Sequence, residues 1–334
     1  MSVPTEQKPS RPVVSVMSNA LITATAATVT TAVVVAGTAL AAPAAAEPPG
    51  TALSSTSQFG PAQFGPAQTR PAQTRPAQTG PAPFDDARGE AARLDAVRDR
   101  SGAPIHRVYA TREGLTGHTT ANGRRIRQND HFVALPSRRV LSEDDQGTHS
   151  VRVCAPSTGR CEYAPVWDVG PWNIDDNYWN SAHYRERFAD LPRGVPEAAA
   201  AHYDGYNSGK DGFGRSVRNP AGIDLADGTF YDGLGLTSNA WVDVTFLWLG
   251  DGPTGTIRTG TGEPLNVRSG PGTSYAKVGT AAAGAHVTIE CTVWGQWIDG
   301  HLGSTPLWNR IGPGHFISDA YTRTGTGRPV APPC

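Results

Sequence analysis

Alternation of apolar and polar side chains marks most of the strands predicted for this chain. In "WVDVTFLW", Val242, Val244, Phe246 and Trp248 fall on one side and Trp241, Asp243, Thr245 and Leu247 on the other. That period of two is what a strand with one buried face requires. "IHRVYAT", "HFVALP", "SVRVC" and "CEYAPVWD" are short, rich in β-branched and aromatic residues, and flanked by turn formers, so each predicts a strand. "PEAAAAHYDGYNSGKDGFGRSV", 196–217, opens as a helix and ends as a glycine-rich loop. Farther upstream, Ala91, Leu94 and Val97 share one helical face, which predicts a short lead-in helix within 84–104.

Composition agrees with an all-β reading. The 334 residues include 38 glycines and 28 prolines and are only 18% charged, a balance that favours loops and short strands over long helices. The formal net charge of −1 supplies no basic field for nucleic acid or an anionic membrane, so neither is expected as a partner.

The first residues read as an export signal over 1–46. Lys8 and Arg11 precede the apolar run "ALITATAATVTTAVVVAGTALAA", and "PAAAE" offers small residues for cleavage after Ala46. A retained membrane anchor is the alternative, but the Thr and Gly content makes a weak spanning helix. No membrane span is expected after cleavage. Residues 47–83 hold a five-residue repeat, "FGPAQFGPAQTRPAQTRPAQTGPAP", whose regular prolines predict an extended spacer rather than a core.

The four cysteines, Cys154, Cys161, Cys291 and Cys334, read as disulfides in an exported chain. Cys154 and Cys161 flank the turn "APSTGR" and predict a bridged hairpin, a constraint that contributes roughly 2–3 kcal/mol. Cys291 and Cys334 remain as the second pair. No CxxC or HxxxH spacing supports zinc, and Asp204 and Asp211 do not meet the EF-hand spacing for calcium, so neither metal nor cofactor is expected.

A family resemblance rests on "GLTGHTTANGRR", "DHFVALP", "VWDVGPW", "AGIDLADGTFYDGLGL" and "WVDVTFLW", taken in that order. The arrangement resembles double-psi β-barrel domains of the rare lipoprotein A type, relatives of barwin and expansins, over 105–249. It implies a six-stranded double-psi β-barrel with a helical and loop insert. In that family the Asp of an Asp-x-Gly-Pro motif is the proposed acid/base in cleaving cell-wall glycan, and Asp168 holds the matching place in "DVGP". Crowding by Trp167 and Trp172 favours the protonated form of a carboxyl group, and aromatic faces suit sugar rings. The competing reading makes Asp168 a turn residue before Gly170-Pro171.

Two departures from the family pattern stand out. The glutamate usual after the Thr-Ala-x-Gly motif is replaced by Arg124, and the usual histidine before Leu-Pro is Phe132, with His131 one position earlier. A one-residue shift in a strand reverses the side chain's face. Asp130, Asp175 and Asp176 are the candidates for a second carboxylate. An inverting hydrolase needs one about 6.5–9.5 Å from the first, whereas a lytic transglycosylase can use Asp168 alone as acid and then base. Thr120, in the matching turn, is a candidate to hold sugar or Asp168, and Trp179 is a further candidate for sugar contact. Asp224, in "GIDLADGTF", is expected to cap or turn the chain.

After a linker over 250–262, "PLNVRSGPG" and "WNRIGPGHFISDAYTRTG" resemble the opening and close of bacterial SH3 domains. The resemblance implies a small C-terminal β-barrel over 263–334 that adheres to the cell wall, with Trp294 and Trp297 among the aromatics available for contact. The whole chain therefore reads as a secreted, wall-associated monomer that acts on peptidoglycan or a related polysaccharide. The alternatives are a non-catalytic, expansin-like binder and a secreted inhibitor or antimicrobial factor.

Overall fold

The computed structural model describes residues 98–334. The expected export signal, the spacer and nearly all of the lead-in helix lie outside the described residues.

The fold is mostly β, as the alternation predicts, and contains a closed six-stranded barrel with further strands outside it, the strand count that the family resemblance implies. The barrel strands are β1 (Ile105–Arg112), β2 (Val133–Leu135), β3 (Ser150–Ala155), β4 (Arg160–Val169), β5 (Ala221–Leu225) and β6 (Ala240–Phe246). β1 pairs antiparallel with β6, β6 with β3, and β3 with β4. β4 then runs parallel to β2, β2 antiparallel to β5, and β5 parallel to β1, which closes the ring. Closure leaves these strands no open edge within the ring. The interior is filled by alternate residues of each strand, among them Val108, Ala110, Val133, Leu135, Val151, Val153, Ala164, Val166, Ile223, Leu225, Val242, Val244 and Phe246.

The predicted last strand ends two residues early. After Phe246 the chain enters a 3-10 turn, Leu247–Leu249. Leu247 is thereby buried in a second core while Trp248 packs against the first, and continued alternation could not serve both.

Between β4 and β5 the insert carries the helix α1 (Glu197–Asp204), closed by Gly205 in the left-handed conformation at φ 68°. Glycine adopts that region without the steric cost a Cβ would bring. The alanines Ala198–Ala201 form the buried side of α1. Asp176 accepts the Glu197 N–H at 2.7 Å at the helix start and pairs with Arg185 at 2.6 Å, both side chains buried.

The C-terminal part contains β7 (Thr254–Ile257), β8 (Leu265–Arg268), β9 (Lys277–Ala281), β10 (His286–Thr288), β11 (Cys291–Gly300), β12 (Gly303–Gly312), β13 (His315–Ser318) and β14 (Thr322–Arg323). β7 falls inside the stretch read as a linker and pairs with β10 and β14. Its Ile257 is buried with Val267, Val287, Ile289, Ile311 and Ile317. Tyr163 of β4 joins the same core, and β9 continues the sheet from β4 through the pair Cys161 and Gly279. Both expected disulfides are formed, Cys154–Cys161 across the β3–β4 hairpin and Cys291–Cys334 anchoring the C-terminal end to β11.

A carboxyl pair at the ends of β1 and β4

Strand register places the chemistry. Val133 of β2 faces Val166 of β4, but the next residue, Ala134, faces Asp168, so Trp167 is an extra residue in β4. Such a bulge re-aims the side chains that follow it. Without it Ala134 would face Trp167, and Asp168 would point to the opposite side. Ala134 also faces Asp224 of β5, and Asp224 faces Thr111 of β1. Thr111, Asp224, Ala134 and Asp168 thus form one row across four strands.

Glu113 completes the site. Its N–H bonds to Leu225 O at 2.9 Å, so the pairing of β1 with β5 runs one residue past the strand's formal end. Residues 111 and 113 then share a face. The Glu113 carboxyl is pushed up to about 9, first by burial, then by hydrogen bonding to Asp168 and by the negative charges of Asp168, Asp224 and Asp227. Its Oε2 is buried and meets no donor. Such an oxygen is best satisfied by carrying the proton itself and donating it. Glu113 therefore stands beside Asp168 as a buried carboxyl that keeps its proton at neutral pH.

The supports of this pair are backbone groups and a buried neighbour. Asp168 Oδ1 accepts the N–H of Ala121 at 2.8 Å and of Val169 at 2.7 Å. Asp224 is pushed up to about 6 by burial, opposed by the Thr111 hydroxyl that donates to it and reinforced by the charge of Asp168. It is a strand residue, not the cap or turn expected of it. Gly170 sits at φ 153°, where a side chain is strained, and a Cβ there would lie 3.7 Å from Asp224 Oδ2.

The expected second carboxylates are occupied elsewhere. Asp130 is buried and takes both Nε and Nη2 of Arg124, at 3.2 and 2.8 Å, and the N–H of Arg127. Asp176 belongs to the buried pair with Arg185, and Asp175 lies in the insert beside Arg187 at 3.4 Å. Arg124 also reaches Asp144 and Asp145 and stacks 4.6 Å above the Trp167 ring. The one-residue shift at 131–132 buries Phe132 against Trp167 and turns His131 onto Glu162 at 2.7 Å. Burial works against the charged form of His131, but the Glu162 carboxylate outweighs it and the pKa rises.

The predicted contact residues divide. Trp179 is 1% exposed and stacks on Phe246 at 4.8 Å, so it is core and reaches no ligand. Trp167 is largely buried, with Nε1 donating to Gln146 O. Trp172 is half-buried and donates to Asn219 at 3.0 Å. The Thr120 hydroxyl is buried and engaged with Asn122 and the Arg124 N–H, so it shapes its own turn instead of meeting sugar. Trp294 and Trp297 stand 65% and 67% exposed on β11. Among the described residues, no group of three His, Cys, Asp or Glu side chains is arranged to hold a metal ion.

Glu113 was missed in the sequence because nothing local links it to Asp168. The available signal was an acidic residue two positions past Thr111, directly before the glycine-rich turn, at the strand end that meets "GIDLAD".

The fold and site define a closed β-barrel protein with a paired carboxyl site at its strand ends. Residues 104–245, which take in nearly the whole barrel, match the family described as "Domain of unknown function (DUF8814)". The chain is 40% identical over 88 residues to "Uncharacterized protein YraI" of Bacillus subtilis (strain 168), covering 24% of this chain and 73% of that protein. It is 33% identical over 87 residues to "Uncharacterized protein YraJ" of the same organism, covering 74% of it. The chain belongs to the family of these two proteins.

Proposed function

We propose that this protein is an exported, wall-associated enzyme that cleaves peptidoglycan or a related polysaccharide, with Glu113 and Asp168 acting as one acid/base unit. The observation that carries the reading is the buried Glu113 carboxyl beside Asp168, pushed up to about 9 by burial and by Asp168. A group still protonated at neutral pH can donate to a departing glycosidic oxygen. The resemblance to rare lipoprotein A-type barrels supplies the substrate class.

Reactions on glycans differ in the carboxyl arrangement they need. Hydrolases hold their carboxyls about 5–5.5 Å apart when retaining and about 6.5–9.5 Å apart when inverting. A lytic transglycosylase does not need two separated carboxyls, since one group can serve as acid and then as base. A transglycosylase fits: the unit protonates the leaving oxygen as the C1–O bond breaks. A hydroxyl of the same sugar then attacks C1 and returns its proton to the unit, giving an anhydro-sugar end. The C-terminal part, in its resemblance to bacterial SH3 domains, holds the barrel at the wall through the exposed Trp294 and Trp297, which raises the local substrate concentration.

A second reading, a barrel that grips glycan without cutting it, draws on the two backbone N–H groups that already occupy Asp168 Oδ1. Incubating the protein and Asp168→Asn with purified peptidoglycan separates the two. Anhydro-sugar fragments released by the wild type alone, detected by mass spectrometry, support cleavage. Co-pelleting with the wall and no released fragment supports gripping.

A further inference from the structure

A cleft of about 510 Å³ lies between the barrel and the C-terminal strands, and neither Glu113 nor Asp168 lines it. Its basic groups are unequally used. Arg124 spends its charge on Asp130, Asp144 and Asp145. Arg258 and Arg323, which line the opposite side, form no ion pair among the described residues.

Register fixes these two arginines on one face. Thr322 pairs with Ile257 and Arg323 with Thr256, and the Arg258 N–H extends the ladder to Tyr321 O at 2.8 Å. Ile257 and Thr322 turn into the core, so Arg258 and Arg323 point the other way as diagonal neighbours, roughly 7–8 Å apart at Cα. Like charges so placed repel unless something between them carries the opposite sign. A further observation points to a partner for these groups. Arg258 Nε and Thr259 Oγ1 are buried at the cleft without a hydrogen-bond partner. Across the cleft the His301 ring is held against Gly260, where a Cβ would come 2.5 Å from its Nδ1.

We infer that this cleft is a binding site for an oxyanion, a carboxylate or a phosphate group, held by Arg258, Arg323, Thr259 and His301. Guanidinium forks match the paired oxygens of both groups, and a hydroxyl and an imidazole supply further donors. The site does not depend on the acid/base reading of Glu113 and Asp168.

Isothermal titration of the full chain at low ionic strength, with inorganic phosphate and separately with N-acetylalanine, tests the inference. Saturable binding of at least one probe is expected, weakened about tenfold by Arg258→Gln and by Arg323→Gln. Binding of phosphate alone identifies a phosphate ligand, and binding of N-acetylalanine alone a carboxylate. Arg323 is exposed, so its replacement probes the site without disturbing the core. Absence of saturable binding by either probe, or unchanged affinity in both variants, overturns the site.

Discussion

Glu113, just past the end of β1, stands beside Asp168 near the end of β4 and is raised by it, although β5 and β2 lie between their strands in the barrel. The contact costs stability as pH rises. With Glu113 raised from 4.5 to about 9, the folded chain keeps a proton that the unfolded chain releases in that interval. Stability therefore falls through this window, and no penalty exists below it. Asp224, raised from 3.8 to about 6, adds a penalty of the same sign over its own interval. Glu113→Gln removes the larger one. Its advantage in thermal unfolding is expected to be absent at pH 4 and to grow to about 2 kcal/mol, or roughly 4–8 °C, near pH 9.

The pH dependence of glycan release follows from the same group. If Glu113 holds the donated proton, release persists through neutral pH and declines above about 9, where the proton is lost. Rates measured from pH 6 to 11 should show that basic limb in the wild type. The residual activity of Glu113→Gln should lack it.

Asp176 is expected to matter for folding and not for chemistry. Removing it strands the buried Arg185 guanidinium and the Glu197 N–H at the start of α1. Asp176→Ala should cost about 3–5 kcal/mol in denaturant unfolding. Asp176→Asn, which keeps an acceptor, should cost less.

Arg124 replaces an expected glutamate because its surroundings are acidic. It pairs with Asp130, Asp144 and Asp145 and covers Trp167. Arg124→Ala is expected to destabilise the fold by about 2 kcal/mol, from a lost charged hydrogen-bond pair and a lost ring contact. Arg124→Glu should be worse, since it adds a carboxylate to three others. Equal stability of the two variants in urea would show that the neighbouring charges do not select arginine.

The strands were legible because a half-buried strand repeats with a period of two, and the disulfides because the cysteines flank a turn and a chain end. Asp168 stood out by its motif. Its partner did not, since the pairing depends on the bulge at Trp167 and on register across four strands, neither of which has a local signature. Trp179, between asparagines in a polar insert, resembles a surface aromatic until the fold brings Phe246 against it. Asp130 and Asp176 were plausible as free carboxylates for a similar reason, as Arg124 and Arg185 reach them only in the folded chain.

The central claim is that Glu113 and Asp168 work as one unit, and a double-mutant cycle on glycan release tests it most directly. Initial rates of anhydro-fragment release would be measured for the wild type, Glu113→Gln, Asp168→Asn and the double variant on the same peptidoglycan. Each single change is predicted to slow release by about 100-fold or more, with the double variant no slower than the worse single one. Wild-type rates in Glu113→Gln, or losses that multiply in the double variant, would contradict the account.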